Sequence, residues 1–442
     1  MKILVSAAGS LDAFVGGGQV YVQNLARELH HRGRDLAIVC ESAWEGGNLP
    51  FQVNWRWWNG LAVAGVSVNP AACSAGDRWS SLSRPLLDAL HQVVDEVRPD
   101  LIHMNGMKPA LTRVAIEKSI PHVITAHHGG IACPAGTLLR PDDTICDKPM
   151  DRRWCGSCYC RQLQSGTSIG KGLSAVPACV YRPLGMALNV LPNPTYAGRV
   201  MMYPWLVERA IAGKQSALVR AQRFIAPSSA IASVLIRSGA PEDRVVVVPH
   251  GIAPLKQAPL EPLVSRPVRF GYVGGTNRPK GVRILLQAFS RLPPGAAELQ
   301  IVGSPQRTGE SAYLEEALRP VAGRRNVILK GAVSHERMGE AMAGFDVLVL
   351  PTICLEVFGL VVLEAFSVGR PVIVTNCGGP AETVRHGVDG LVVPPNDCDA
   401  LADAMRQLVA QPSRIGELAA SIRPVRTLTQ HVDDVEKVYR TL

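Results

Sequence analysis

A chain of 442 residues exceeds what one ordinary hydrophobic core accommodates and implies two domains. With 47% hydrophobic and only 19% charged residues, and with no low-complexity tract, the composition excludes a disordered or fibrous protein. The net charge of +9 favours anionic partners such as diphosphates, acidic glycans, lipid phosphates or a membrane surface, whereas the lack of zinc-finger spacing, aromatic RNA-binding signatures and long Lys/Arg runs argues against nucleic acid.

The opening MKILVSAAGS carries one Lys and a very short apolar run, which reads as a buried strand and not as a signal peptide. Gly16, Gly17 and Gly18 separate it from the helical pattern VYVQNLARELHHRG, so the amides of Gly17 and Gly18 can approach a phosphate or an acceptor from across a cleft. A dinucleotide fingerprint fails there because Tyr21 occupies the place of its last glycine. The alternation runs on through DLAIVCE, PLLDALHQVVDEVRP, DLIHM, HVITAHH, FIAPSSA and VVVVPH, predicting a parallel sheet covered by helices on both faces. His127 follows the strand HVIT at the carboxyl edge, where open α/β sheets bind ligands; His103, after DLI, is expected to be structural.

From His128 to about Arg199 the periodicity fails and Gly, Pro and Cys dominate, which predicts an insertion in the first lobe at about 129–199. Five of the eleven cysteines fall within it: Cys133, Cys146, Cys155, Cys158 and Cys160. The gap between Cys155 and Cys158 is a familiar ligand spacing, and Cys133, Cys146, Cys155 and Cys158 could hold a structural zinc tetrahedrally; free or disulfide-linked thiols are the alternative. The segment Val176 to Arg220, with Tyr181, Arg182, Met201, Met202, Tyr203 and Trp205, is apolar and basic. It reads either as a peripheral membrane surface or as core, and Pro177, Arg182 and Pro183 argue against a spanning helix.

The proline-rich stretch 254–267 reads as a connection between a first lobe, 1–255, and a second, 266–425, with a final helix in 426–442 expected to return to the first lobe. The second lobe repeats the strand and helix alternation from VRFGYVG to LVVPP. Its most informative segment is DVLVLPTICLEVFGLVVLEAFSVGRPVIV, where a buried strand enters a loop bearing Glu356 and then a helix bearing Glu364. Amides near Phe358, Gly359 and Leu360 could cradle a phosphate; Glu356 could accept from sugar hydroxyls, and Glu364 from a ribose diol, since each carboxylate oxygen has two lone pairs.

This segment resembles the retaining glycosyltransferases of family 4, whose signature is two glutamates separated by seven residues. The resemblance extends through GYVGGTNRPKG, NVILKGAVS, NCGGPAETVRHGVDGLVVPP, GGGQVYVQNLARELHHRG, PDLIHMNG and PHVITAHHGG, most of the chain. It implies a GT-B fold of two Rossmann-like doubly wound lobes, an NDP-sugar donor held mainly by the second lobe, a glycan or polyprenyl-linked acceptor, and retention of configuration. The strand-like opening is read as that of a cytoplasmic protein, the positive charge and the segment 176–220 leave peripheral contact at the inner face of the membrane open, and Lys280 with the glycine and helix amides would bind a diphosphate with no cofactor required for catalysis. By the same resemblance His127 contacts the donor sugar and Lys280 in RPKG grips the diphosphate. The family's companion Arg is Gly275 here, leaving Arg278 or Asn277 as candidates for the missing contact, and His250 replaces a common Asn. A catalytically inactive sugar-nucleotide-binding homologue and a Rossmann-type oxidoreductase are the competing readings.

Overall fold

The computed structural model describes residues 1–9, 11, 16–73, 82–127, 129–162, 176–189, 196–255, 266–305 and 309–442. Short apolar, β-branched runs form the strands of a first sheet: β1 Lys2–Ser6, β2 Asp35–Glu41, β3 Phe51–Trp58, β4 Leu61–Val68, β5 Leu101–Met104, β6 His122–Thr125, β7 Arg223–Ala226 and β8 Val245–Val247. Their order is β3-β4-β2-β1-β5-β6-β7-β8. All pairs are parallel except β3 with β4, which form a hairpin turning on Asn59 and Gly60 at φ 48° and 78°. This antiparallel edge departs from the purely parallel sheet expected; Asn-Gly is the dipeptide that accepts two successive left-handed residues.

A second sheet is wholly parallel, built from β9 Val268–Val273, β10 Ala297–Val302, β11 Val327–Gly331, β12 Val347–Leu350, β13 Val372–Thr375 and β14 Gly390–Val393 in the order β11-β10-β9-β12-β13-β14. The strand order reverses between β1 and β5 in one sheet and between β9 and β12 in the other, so each lobe has a crevice at its carboxyl edge. At the amino end of β12 the fully buried Asp346 receives Arg266 at 2.7 Å and the Arg269 backbone N–H at 2.8 Å, which ties β9 to β12.

The two halves share packing. Val357, Phe358 and Leu363 of the second half are buried in the core of the first sheet. Helix Leu428–Tyr439, started by a capping box of Thr427 and Gln430, packs Val432, Val435, Val438 and Tyr439 among Ile3, Val5 and Leu25.

The stretch where periodicity fails is more ordered than its composition suggests. Helices Arg152–Gln162 and Ala178–Asn189 lie within it, and helix Tyr196–Arg220 begins at its end, with Pro183 and Pro204 inside the latter two. Residues 163–175 and 190–195, His128, most of the connection at 254–267 and the side chain of Cys160 lie outside the described residues. Tyr181, Met202, Trp205 and Leu206 form a buried cluster and Tyr203 joins the main core. Of the two readings open for this segment, these residues take the core one; Met201 is exposed, together with Val180 and Met186. No described helix is long and apolar enough to cross a membrane.

Candidate functional site

The donor-side loop is built around a glycine. After β9 the chain makes a single turn at Arg278–Lys280 and reaches Gly281 at φ +71, where an added Cβ would lie 1.8 Å from the Pro351 carbonyl oxygen. Only glycine allows that approach, and the approach seats the turn against the loop following β12. Lys280 Nζ thereby donates to Glu356 Oε2 at 2.6 Å. Glu356 is fixed by its backbone: its N–H donates to Cys377 O at 2.8 Å and its carbonyl accepts from Gly379 N at 3.0 Å. Burial pulls the Lys280 ammonium down, but the Glu356 carboxylate more than offsets it, so the group is held above its ordinary range.

Gly359, at φ +74, turns the chain into helix Leu360–Ser367, whose first-turn amides face the same edge of the sheet. Glu364 sits on this helix, and burial pushes its carboxyl up to about 7. It lines a narrow cleft with Val20, Tyr21, Asn24, Gly251 and Leu428, so the carboxyl meets the first lobe as well as the second.

From the other side, β6 delivers His127, whose Nε2 lies 2.5 Å from Asn105 Oδ1 at the end of β5. The Tyr21 ring centroid is 4.1 Å from that of His127, and His250 stacks at 5.2 Å. A Cβ on Gly17 would lie 3.4 Å from Leu360 Cδ1, and one on Gly18 would lie 3.8 Å from His127 Cβ. Gly17, Gly18, His127 and Leu360 are thus brought together, with the Phe358 ring 5.1 Å from His250 and packed into the first core. Asn105 was missed in the sequence, although it ends DLIHMN at the same carboxyl edge as His127. Behind this wall a buried chain of hydrogen bonds runs from His431 to Tyr21 at 2.9 Å, and from Thr125 through His103 to Tyr439 at 2.6 Å each.

Asn105 Nδ2, Thr276 Oγ1, Asn277 Oδ1 and Thr352 Oγ1 are buried polar atoms for which the described residues supply no partner. Such atoms around a cationic loop suit a polyhydroxylated or phosphorylated ligand. A broad open hollow lined by Lys2, Asp95, Glu96 and Arg98 lies at the amino edge of the first sheet and carries none of these groups.

Arg278 is placed differently from the diphosphate contact expected of it. Its guanidinium pairs with Asp143 and donates to the Pro141 carbonyl at 3.0 Å, both on a hairpin of the first half closed by the Leu139–Ile145 bridge. Behind it, a Cβ added at Gly275 would lie 3.2 Å from Asn277 Nδ2, a tight contact with the end of a side chain. Cys133, Cys146, Cys155 and Cys158 are neighbours, yet among the described residues no group of three or more His, Cys, Asp or Glu side chains stands in a metal-holding arrangement. A further bridge between the lobes was not legible in the sequence. The Ser229 and Ala230 N–H groups, at the start of helix Ser229–Arg237, donate to the Glu382 carboxylate at 2.8 and 2.7 Å, while the Ser228 hydroxyl donates to Val357 O at 2.7 Å.

Two family models match the chain, one described as "Glycosyl transferases group 1" over residues 267–411 and one described as "Glycosyl transferase 4-like domain" over residues 16–164. An uncharacterized glycosyltransferase of Methanocaldococcus jannaschii is 31% identical over 175 residues, which is 37% of this chain and 44% of that protein. D-inositol 3-phosphate glycosyltransferase of Rhodococcus opacus is 29% identical over 224 residues, 47% of this chain and 50% of that one. The chain thus spans about half the length of the curated relatives it matches. Among solved structures, sucrose-phosphate synthase from Thermosynechococcus elongatus superposes with a TM-score of 0.69 at 19% identity, covering 100% of this chain and 98% of that one. Anabaena HepE in complex with UDP-glucose does so with a TM-score of 0.65 at 17% identity, covering 100% of both chains. These superpositions show the same two-lobed GT-B fold.

Proposed function

The chain belongs to the group 1 glycosyltransferases, and from that premise we propose that it transfers a glycosyl unit, of the hexose type, from an NDP-sugar to a glycan or polyprenyl-linked acceptor with retention of anomeric configuration. The observation that carries this reading is the Lys280–Glu356 pair at 2.6 Å, a cation and a carboxylate delivered by the two strands that flank the crevice of the second sheet.

The physical problem is heterolysis of the bond between the anomeric carbon and the diphosphate oxygen. Positive charge grows on the sugar and negative charge on the leaving group, so preorganised electrostatics supply most of the acceleration. Lys280 and the amides at Gly359 and Leu360 meet the diphosphate, and the amides of Gly17 and Gly18 close on it from the first lobe. A diphosphate engaging Lys280 loosens its hold on Glu356, whose carboxylate then accepts from the sugar hydroxyls. Glu364 accepts from the ribose diol. His127, held by Asn105, contacts the donor sugar on the acceptor side. The acceptor hydroxyl attacks from the front face as the leaving phosphate oxygen takes its proton; the new C–O bond forms as the old one breaks. Closure of the lobes excludes water and limits donor hydrolysis.

In this account the enzyme works in the cytoplasm, where NDP-sugars are made. Peripheral contact with the inner face of the membrane would use the exposed Val180, Met186 and Met201. The second reading, an inactive sugar-nucleotide-binding homologue, is favoured by one observation: Gly275 lacks a side chain where the resemblance implies Arg, and Arg278 is engaged by Asp143. A thermal-shift panel of NDP-sugars against NAD(P)H, beginning with UDP-sugars because HepE was solved with UDP-glucose, followed by transfer from labelled donors to lipid and glycan extracts, separates the readings. Stabilisation with transfer supports the enzyme, and stabilisation without transfer supports the binding homologue. Stabilisation by NAD(P)H alone would sink both.

A further inference from the structure

The chain leaves the first sheet after β8 through residues 249–252, and a glycine fixes its path. A Cβ added at Gly251 would lie 2.1 Å from the Thr427 carbonyl oxygen, an approach open only to glycine. Ile252 then pairs with Thr427: the Ile252 N–H donates to Arg426 O at 3.1 Å, and its carbonyl accepts from the Leu428 N–H at 2.9 Å. His431 completes the clamp. Its Nδ1 donates to the Pro249 carbonyl at 2.8 Å, which leaves Nε2 to accept from the Tyr21 hydroxyl at 2.9 Å. Contacts on both sides of residue 250 thus fix where its side chain enters the core.

His250 is 3% exposed and touches a ring from each of four elements. Its centroid lies 4.4 Å from Tyr21 of helix Gly17–His31 and 5.2 Å from His127 after β6, the two imidazole planes 29° apart. Phe358, from the loop after β12, meets it edge-on at 5.1 Å, and His431, from the last helix, edge-on at 5.3 Å. Offset and edge-on packing are the arrangements that aromatic rings prefer. The His250 Nδ1 is buried and finds no partner among the described residues, so the faces and edges of the ring hold it in place of a bond at that nitrogen. Burial keeps the imidazole well below its ordinary 6.5, hence neutral among these rings.

We propose that His250 is a positioning residue: its ring joins the loop that carries Glu356 to His127 and sets the tilt of the His127 imidazole. The proposal rests on the role given above to His127 at the donor sugar. The Asn105 bond fixes one atom of that imidazole, Nε2, whereas a flat face packed against the ring fixes its plane about that atom. Phe358 stands two residues after Glu356, so a donor that draws Glu356 away from Lys280 acts on the Phe358 edge, through it on His250, and through His250 on His127. The Asn that the resemblance implies at position 250 has no aromatic face to offer.

The test compares His250→Leu with His250→Phe in the full chain. Both replacements are apolar, and because Nδ1 has no partner neither forfeits a bond there; only Phe keeps a flat face. His250→Leu should lower kcat roughly 10- to 100-fold, the scale expected when a group at the reacting centre is misplaced by about an ångström, with nucleotide affinity little changed. His250→Phe should recover most of that loss. In a His127→Ala background His250→Leu should add nothing further, because it acts through His127. Donor-free protein gives an independent readout by nuclear magnetic resonance with isotope-labelled histidine: the ring signal that His127→Gln removes should broaden in His250→Leu and stay sharp in His250→Phe. Parent turnover in the Leu variant, a Phe variant as slow as Leu, losses that add to those of His127→Ala, or an unaltered His127 signal in folded His250→Leu would overturn the proposal. Should neither variant fold, the parent chain decides: cross-relaxation between the His127 and His250 ring protons is expected, and its absence overturns the stack. A parent chain that transfers no sugar while the ring signals behave as expected would count against the proposed function and leave the stack standing.

Discussion

Lys280 Nζ and Glu356 Oε2 lie 2.6 Å apart, so the cation expected to meet a diphosphate and the carboxylate expected to meet a sugar neutralise each other while the donor is absent. Donor binding must exchange this pair for two ligand contacts. Lys280→Ala should therefore weaken nucleotide binding by roughly 10- to 100-fold, the loss of a charge-assisted hydrogen bond worth about 1.5–3 kcal/mol. Calorimetric titration with UDP and with the other nucleoside diphosphates measures it. An unchanged dissociation constant would remove Lys280 from the diphosphate site.

Glu364 gives donor binding a pH signature. Burial holds its carboxyl up at about 7, and the ionised form is the better acceptor for a ribose diol. Nucleotide affinity should rise as pH increases from 6 to 8, and Glu364→Gln should flatten the profile. The same shift acts on stability with the opposite trend: a folded pKa raised above the ordinary 4.5 contributes stability that is complete below 4.5 and lost as pH rises through about 7. A titration in which the Gln variant keeps the parent's slope would contradict this assignment.

The strand-to-helix pattern around Glu356 and Glu364 was legible because buried parallel strands announce themselves as apolar runs bounded by Gly and Pro. The β3/β4 hairpin was equally legible at Asn59-Gly60 and was overlooked, since its Trp-rich strand reads as neither core nor loop. The contacts between the lobes were not legible: the pairing of Arg278 with Asp143, like that of Ser229 with Glu382, joins residues far apart in the chain, and single-chain periodicity carries no signal for it. Helices Arg152–Gln162 and Ala178–Asn189 were hidden, the first by cysteines in place of the usual apolar stripe and the second by Pro183 inside it.

Arg278 and Asp143 should be energetically coupled across the lobes. Both side chains are largely buried, at 22% and 17% exposure, so each Ala substitution alone leaves a half-buried charge. The double variant should cost less than the sum by about 0.5–3 kcal/mol. Denaturant unfolding of the four species closes the cycle, and strict additivity would show that the hairpin contributes nothing through this pair.

The buried histidines predict acid sensitivity. Burial, reinforced by nearby His431 and Lys108, depresses His103 to about 3; burial depresses His431 to about 4; and His250 is also well below 6.5. Folded pKa values depressed below the ordinary 6.5 mean that stability is complete above 6.5 and falls as pH drops toward 4, by up to ~1.4 kcal/mol per pH unit for each group. Opening of helix Leu428–Tyr439 breaks the Tyr21–His431 and His103–Tyr439 bonds and frees His431 to take up a proton, so this helix should lose protection first. Hydrogen exchange at pH 7 and pH 5 reads this directly; equal protection of that helix at both values would contradict it.

The most direct test of the central claim is steady-state transfer with varied donor for Glu356→Gln and Glu364→Ala, paired with direct nucleotide binding to each folded variant. A carboxylate whose contact strengthens as charge develops on the sugar acts on turnover, so Glu356→Gln should lower kcat on the order of 100-fold with little change in donor affinity. Glu364→Ala should raise KM more than it lowers kcat, because its ribose contacts are present in both ground and transition states. If both variants bind the donor normally and transfer sugar at the parent rate, this pair of carboxylates is not the active centre.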